Sequence, residues 1–349
     1  MKDKSTFFAT LIILVALFFW INILTIKYLT FGYFDWDLTI CSNTLWNLSH
    51  GSTQLSLLGL KNFLGNHVNI IAFLLVPIYK LIPHPLILIY LQTLTLLLSS
   101  LVIYFIAKRE LSVNLGLIIT MLYLFYPALW YGLLYEFHFF SLSALFLSIM
   151  FLYFYKEDFV KFIIFASLAL LCREDISLLV FGLGICAVFT RRSFKWKITP
   201  LLMGMIWGYL SVFLIGPHFN TNKVYRYSFL LKNYGEDIPK VIKNVLLNPF
   251  IILKSIFVSK INMKFIIELF APVAFMPFFS LRLIIVIPLL FLHLISSNNF
   301  QHTIYRHYTL PLIPFIFIAA IYSLKHFIRQ KANGLHNAQV VSILMFAFL

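Results

Sequence analysis

Apolar residues run through this chain in long, nearly unbroken stretches, and polar ones are confined to the joints between them. The first stretch covers 7–29, behind a polar MKDK. Others lie near 85–107, 112–130, 139–155, 159–172, 175–190, 198–216, 264–280, 283–296 and 307–324, with a last piece at 337–349. A bilayer asks for such runs, about 20 apolar residues per perpendicular helix. Nothing alternates in the roughly ten-residue segments of a barrel strand. The pattern predicts an all-α, polytopic membrane protein, a single transmembrane domain over 1–349 with about ten or eleven spans at the bilayer length.

Two intervals interrupt the pattern. Residues 30–66 are less hydrophobic and carry Gly32, Gly51, Gly59 and Gly65. The apolar 67–83 that follows is flanked by His67 and Lys80 and reads as a membrane-surface or re-entrant helix, so 30–84 becomes a first outer loop with short surface helices. The second interval, 217–262, is rich in Tyr, Asn and Lys and reads as a second outer polar segment. The segments 159–172 and 175–190 are short; they either meet at the outer interface or break inside the protein, which is allowed where protein or water lines the break. The 337–349 piece is also short for a span, and further helices are expected beyond it. Residues 7–24 are too long and unbroken for a signal-peptide core and are read as a retained span.

Composition agrees: 61% of residues are hydrophobic and 11% charged, with a mean hydropathy of +0.93. The net charge is +15, from 27 Lys and Arg against 12 Asp and Glu. In a soluble protein that excess would suggest nucleic acid. Here it sits in short joints: Lys108 and Arg109, RRSFKWK at 191–197 and KHFIRQK at 325–331. Positive loops stay cytoplasmic. With 67–83 not crossing, the amino terminus is cytoplasmic in a cell-membrane protein, and no nucleic-acid partner is implied. The basic tract Lys223–Lys243 falls outside, in a long loop that the rule governs weakly. Cys41, Cys172 and Cys186 have no disulfide or metal-ligand pattern.

On this topology three clusters of ionisable residues open to the outer side, where such groups are costly and tend to serve a task. Asp35 and Asp37 in FDWDLT point to one face in extended backbone. Together they can hold a divalent cation, or one can act as a base that the other tunes; the plainer alternative is a turn that uses Asp for backbone bonds. Glu136 and His138 in YEFHF can relay a proton, bind a phosphate or complete a metal site; the plainer alternative is a loop capping the next helix. Arg173, Glu174 and Asp175 in LLCREDISLL suit a guanidinium that clamps phosphate oxygens, with the acids orienting it; the alternative is a buried salt bridge holding a helix break. His67, Arg306, His307 and Tyr308 face the same compartment and can contact an anionic headgroup, although an Arg snorkelling from a helix end would look the same. No GxGxxG, GxxxxGK[ST] or HExxH is present.

These residues carry a resemblance. The blocks FDWDLTICSNTLWNLSHG (34–51), NHVNIIAFLLVPIYKLIPHPLILIYLQ (66–92), YPALWYGLLYEFHFFSL (126–142), LLCREDISLLVFGLG (170–184) and YRHYTLPLIPFIFIAA (305–320) resemble, in order, the DUF2079 family of polytopic membrane proteins. That family looks like a relative of membrane glycosyltransferases of the GT-C type, which take a sugar from a polyprenyl-phosphate donor on the outer face. The resemblance implies that Asp37 is the first-loop acid, followed by Trp46 and Gly51. It matches Glu136 and His138 to an acidic-x-His segment, Glu174 and Asp175 to a Glu-Asp pair, and Tyr308 and Pro314 to a late Tyr and Pro. The chain departs from the family where Thr39, Ser42 and Asn43 replace a Gly and an Asp-Gln, and where Arg173 stands for a common Lys. The missing acid weakens a two-acid metal site there.

The expected function is transfer of a sugar from a polyprenyl-phosphate donor to an acceptor, with Asp37 as candidate base and a divalent cation as a candidate cofactor. A transporter or flippase is the rival; it favours midplane charges and paired repeats, and neither is visible. A non-catalytic membrane protein must explain why three charged clusters share one side.

Overall fold

The computed structural model describes residues 4–33 and 36–332. Asp35 and the 337–349 piece lie outside the described residues, so the readings placed on them are not addressed. All named elements among the described residues are helical, joined by turns and an isolated bridge between Leu55 and Leu60.

The elements are α1 (Lys4–Leu29), α2 (Asp37–Ser49), α3 (Ile71–Leu81), α4 (Pro85–Glu110), α5 (Val113–Leu124), α6 (Pro127–Leu134), α7 (Ser143–Lys156), α8 (Phe159–Leu170), α9 (Ile176–Phe189) and α10 (Phe194–Tyr209). A π-helical stretch, Leu210–Ile215, carries α10 into α11 (Gly216–Phe219). Then come α12 (Ile238–Leu247), α13 (Pro249–Val258), α14 (Lys260–Phe270), α15 (Ile287–Ile295) and α16 (Ile313–Ala332), with 3₁₀ turns in the gaps.

Among the described residues, four helices are long and apolar enough to cross a membrane: Lys4–Leu29, Pro85–Glu110, Phe139–Lys156 and Phe194–Phe219, with mean hydropathies of 2.6, 2.2, 1.6 and 1.9. The number rises to six if the bent pairs Val113–Leu124 with Pro127–Leu134 (44°) and Ile238–Leu247 with Pro249–Val258 (93°) each count as one. The protein is thus an all-α polytopic membrane protein, but hydropathy alone suggested about ten or eleven full spans by length. The excess comes from short apolar helices. The 12 residues of α8 and the 14 of α9 fall short of the about 20 that a perpendicular crossing needs. Likewise 264–280 and 283–296 are broken by 3₁₀ turns at Ala271–Val273, Met276–Phe279 and Leu281–Ile285.

The hub is α4, which packs against α1, α5, α7 and α16. Its buried face mixes Leu96 and Ile103 with Thr93, Ser99, Ser100 and Ala107. Small residues let helices approach closely in a membrane, where apolar packing has no water to exclude. Ser99 Oγ meets the Tyr123 hydroxyl of α5 at 2.6 Å. By contrast α1 turns Phe7, Leu14 and Phe18 outward, as a lipid-facing helix must.

The bundle has two chemically distinct ends. At one, Tyr104 donates to Ser5 at 2.7 Å, Arg192 pairs with Glu157 at 2.6 Å, and Lys325 pairs with the buried Glu110. Arg109 lies 4.8 Å over the Tyr155 ring and Arg282 3.5 Å over the Tyr322 ring. This basic end gathers the Lys and Arg joints. At the other end α3, about 16 Å long at 1.5 Å per residue, packs along α2. Ile71 at its start donates to the Leu171 carbonyl at 2.9 Å, and Tyr79 near its end meets Ser42 at 2.6 Å.

Candidate functional site

The end opposite the basic joints collects polar side chains from helix ends that are far apart in sequence. Asp37 opens α2, where a carboxylate complements the helix dipole. Behind it, the Leu38 N–H donates to Glu136 Oε2 at 2.7 Å, so Glu136 serves a free N–H in the first turn of α2. Gln92, a polar residue within the apolar α4, holds the 135–138 segment. Its amide donates to the Gly132 and Glu136 carbonyls, both at 3.4 Å, and its oxygen accepts from the His138 N–H at 3.1 Å. The next side chain, His138, is thereby aimed at Asp37, with Nε2 2.9 Å from Oδ2.

Around this pair stands a second layer. Tyr135 donates to Asp37 Oδ2 at 3.0 Å and accepts from Arg306 at 2.5 Å. The His307 ring stacks on His138 with centroids 3.5 Å apart and lies 4.1 Å from the Tyr308 ring. His307 is buried, and its Nδ1 has no hydrogen-bond partner among the described residues. Asp37, His138 and His307 each bring one ligating atom to within 4.8 Å of the others, a group able to hold a metal ion.

The CRED cluster builds the adjoining wall. Arg173 grips Asp175 through two bonds, Nε to Oδ1 at 2.8 Å and a terminal nitrogen to Oδ2 at 2.5 Å, while its guanidinium covers the Phe140 ring at 3.4 Å. Glu174 is 2% exposed and is shared among three partners on two segments. Its Oε1 meets His67 Nδ1 at 2.7 Å and accepts from Tyr225 at 2.9 Å, and its Oε2 accepts from the Val68 N–H at 3.0 Å. Tyr227 stacks flat on His67 at 4.2 Å and donates to Asn66 at 2.8 Å. Gly65 makes this closure possible: a Cβ there would stand 2.4 Å from the Phe219 carbonyl oxygen. The adjacent Asn220 amide donates to the Gly65 carbonyl at 3.0 Å.

Electrostatics follow from these contacts. Burial opposes the Asp37 charge, but the facing His138, the Tyr135 hydroxyl and His67 outweigh it and hold the carboxyl well below the usual range. Burial opposes Glu174 as well, and His67 and Arg173 bring it down. Burial, helped by His138 and Arg173, pushes His307 far below its ordinary 6.5, so its ring is neutral. Burial and the Glu174 charge push the Tyr225 hydroxyl up.

Two cavities, about 430 and about 570 Å³, share a wall made by Asp37, His67, His138, Tyr227 and Phe229. The smaller is rich in amides (Asn66, Asn69, Asn220 and Asn222) and holds Arg226. The larger carries Arg173, Glu174, Asp175, His307 and Tyr308. Of the residues picked from sequence, Asp37, His67, His138, Arg173, Glu174, Asp175, His307 and Tyr308 therefore meet here. Arg306 reaches Asp37 through Tyr135, and Glu136 lines neither cavity. Sequence reading missed Tyr135, Gln92, Tyr225, Tyr227 and the asparagines. For Tyr225 and Tyr227 the available signal was their i,i+2 spacing around Arg226 in the interval read as a second outer polar segment.

A sequence profile of the family described as predicted membrane protein (DUF2079) matches residues 27–349. The chain belongs to the DUF2079 family. The matched stretch contains Asp37 and every other described site residue named above, so the site belongs to the DUF2079 portion of the chain. No curated protein and no solved structure gives a match.

Proposed function

We propose that this protein is a membrane glycosyltransferase of GT-C-like architecture, moving a sugar from a polyprenyl-phosphate donor to an acceptor on the extracytoplasmic face. The observation that carries the reading is the position of Asp37 on the shared wall of two cavities that also carry Arg226 and Arg173. A two-substrate transfer needs one group in reach of both partners, and a transporter does not. The basic end is taken as cytoplasmic by the positive-inside rule, which puts Asp37 outside and makes 30–84 an outer loop.

In the reaction, the acceptor oxygen bonds to the anomeric carbon as the bond from that carbon to the donor phosphate oxygen breaks. The acceptor proton passes to Asp37, and the polyprenyl phosphate leaves with the electron pair. Arg226 on the smaller cavity supplies positive charge for the phosphate, while Arg173 on the larger is held by Asp175. Asp37 is a weak base, so its part is to orient the hydroxyl and take the proton late. His67, Glu174 and Asp175 position the walls.

The test is consumption of radiolabelled polyprenyl-phosphate sugar by the full chain in proteoliposomes. Asp37→Asn is expected to lower turnover at least about 100-fold, the low end for losing an acid–base group. Equal turnover by the variant would sink the reading. Vectorial movement of intact donor without product would replace it with a flippase.

A further inference from the structure

We infer that Asp37, His138 and His307 form a binding site for one divalent transition-metal ion of the zinc type. The inference deepens the proposed function by naming a metal at the same site, and it rests on that reading only for what the ion would serve. Its own support is geometric. The three residues come from the start of α2, the 135–142 joint and the 307–309 turn, so no local turn geometry brings them together. Yet one ligating atom from each lies within 4.8 Å of the others.

The second observation is the unpaired nitrogen. His307 is 3% exposed, and its Nδ1 lacks a hydrogen-bond partner among the described residues. A buried polar atom left unpaired is destabilising unless something binds it.

The donor set selects the ion. Two imidazoles and one carboxylate suit zinc, cobalt or iron, whereas magnesium and calcium seek oxygen. Three protein ligands leave a position open, as in catalytic rather than structural sites, and here Asp37 and His138 front both cavities. The support expected behind metal ligands is present. Tyr135 donates to Asp37 Oδ2, and the Gln92 amide oxygen fixes the His138 backbone. The nearby Arg173 charge is offset by its bidentate Asp175. An ion here would supply a Lewis acid beside the acceptor hydroxyl, where Asp37 alone is a weak base.

The experiment uses the full chain in detergent, stripped with a chelator and titrated with Co²⁺, then with Zn²⁺ as competitor. The expected result is one equivalent bound, with ligand-field absorption of a low-coordinate site, displaced by Zn²⁺ and not by excess Mg²⁺. His307→Gln and His138→Gln should each weaken binding at least about tenfold, the size that second-shell changes alone can produce. His293→Gln, a buried histidine outside the cluster, should bind as the wild type does. Melting curves of the stripped variants check folding, and the Co²⁺-induced rise in melting temperature should vanish in His307→Gln even if that variant is less stable. No binding, or binding unchanged in both ligand variants, overturns the site. Donor turnover in the same samples separates the two ideas. Binding without turnover keeps the metal and removes the transferase; metal-independent turnover with no Co²⁺ bound does the reverse.

Discussion

Glu110 and Glu174 are both buried carboxylates at the ends of one bundle, 7% and 2% exposed, and they are used in opposite ways. Glu110 closes on Lys325, tying the last turn of α4 to α16. Neither residue borders the two polar cavities. Glu174 is divided among His67, Val68 and Tyr225, which belong to two loops far apart in sequence, and it borders the larger cavity. Burial of charge therefore does not mark a site by itself. A carboxylate with one cationic partner anchors a helix, whereas one spread over several loops holds those loops apart around a space.

The largest expected effect breaks this contrast if it is wrong. Glu174→Ala leaves the partly buried His67, a hydroxyl and a backbone N–H without their acceptor, and should lower stability by about 3–5 kcal/mol and abolish donor turnover. Glu110→Gln should cost on the order of 2 kcal/mol, because Lys325 is partly exposed and can reach solvent, with turnover unchanged. Melting temperature and turnover measured together decide it; loss of turnover in a well-folded Glu110→Gln would erase the distinction.

Acidification sharpens the comparison next. The folded protein keeps His307 neutral, while the unfolded chain takes up that proton near pH 6.5, so stability is lost as the pH falls below 6.5. Asp37 and Glu174 are depressed in the folded state. Their contribution is intact above the unfolded values near pH 4 and is lost as the pH falls through the folded ones. Melting temperature against pH should thus drop in two stages, and His307→Gln should shrink the first. An unchanged first stage in that variant would place its origin elsewhere.

Smaller still, Gly65→Ala drives a Cβ against the Phe219 carbonyl and should lower stability by about 1–3 kcal/mol, as overpacking does. It should also weaken ligand binding in the amide-rich cavity, as isothermal titration would read. The smallest effect belongs to the basic end: Arg192→Ala removes a partly exposed pair with Glu157 and should shift stability by no more than about 1 kcal/mol, with turnover unaffected.

The site was legible in the sequence to the extent that its residues interrupt apolar runs. Asp37, His138, Arg173 and Glu174 stand out because a charge at the end of a membrane helix needs a reason. Roles were less legible than membership. Glu136, expected in the catalytic ring, serves the first turn of α2, and Arg173 and Asp175 are spent on each other. Tyr225 and Tyr227 escaped notice because they lie in the polar interval 217–262, where Tyr, Asn and Lys are common; only the fold brings them against His67 and Glu174. The span count ran high because hydropathy cannot see 3₁₀ breaks inside an apolar run such as 264–280.

The separation of the site residues along the chain bears on how the protein is made. Asp37 and His138 leave the ribosome early, but His307 and Arg306 follow only after most of the helices. A nascent chain therefore enters the membrane with Asp37 and His138 still lacking His307 and Arg306. His307 stands just ahead of α16, so a product arrested before residue 307 would hold the early helices and still lack the histidine that stacks on His138.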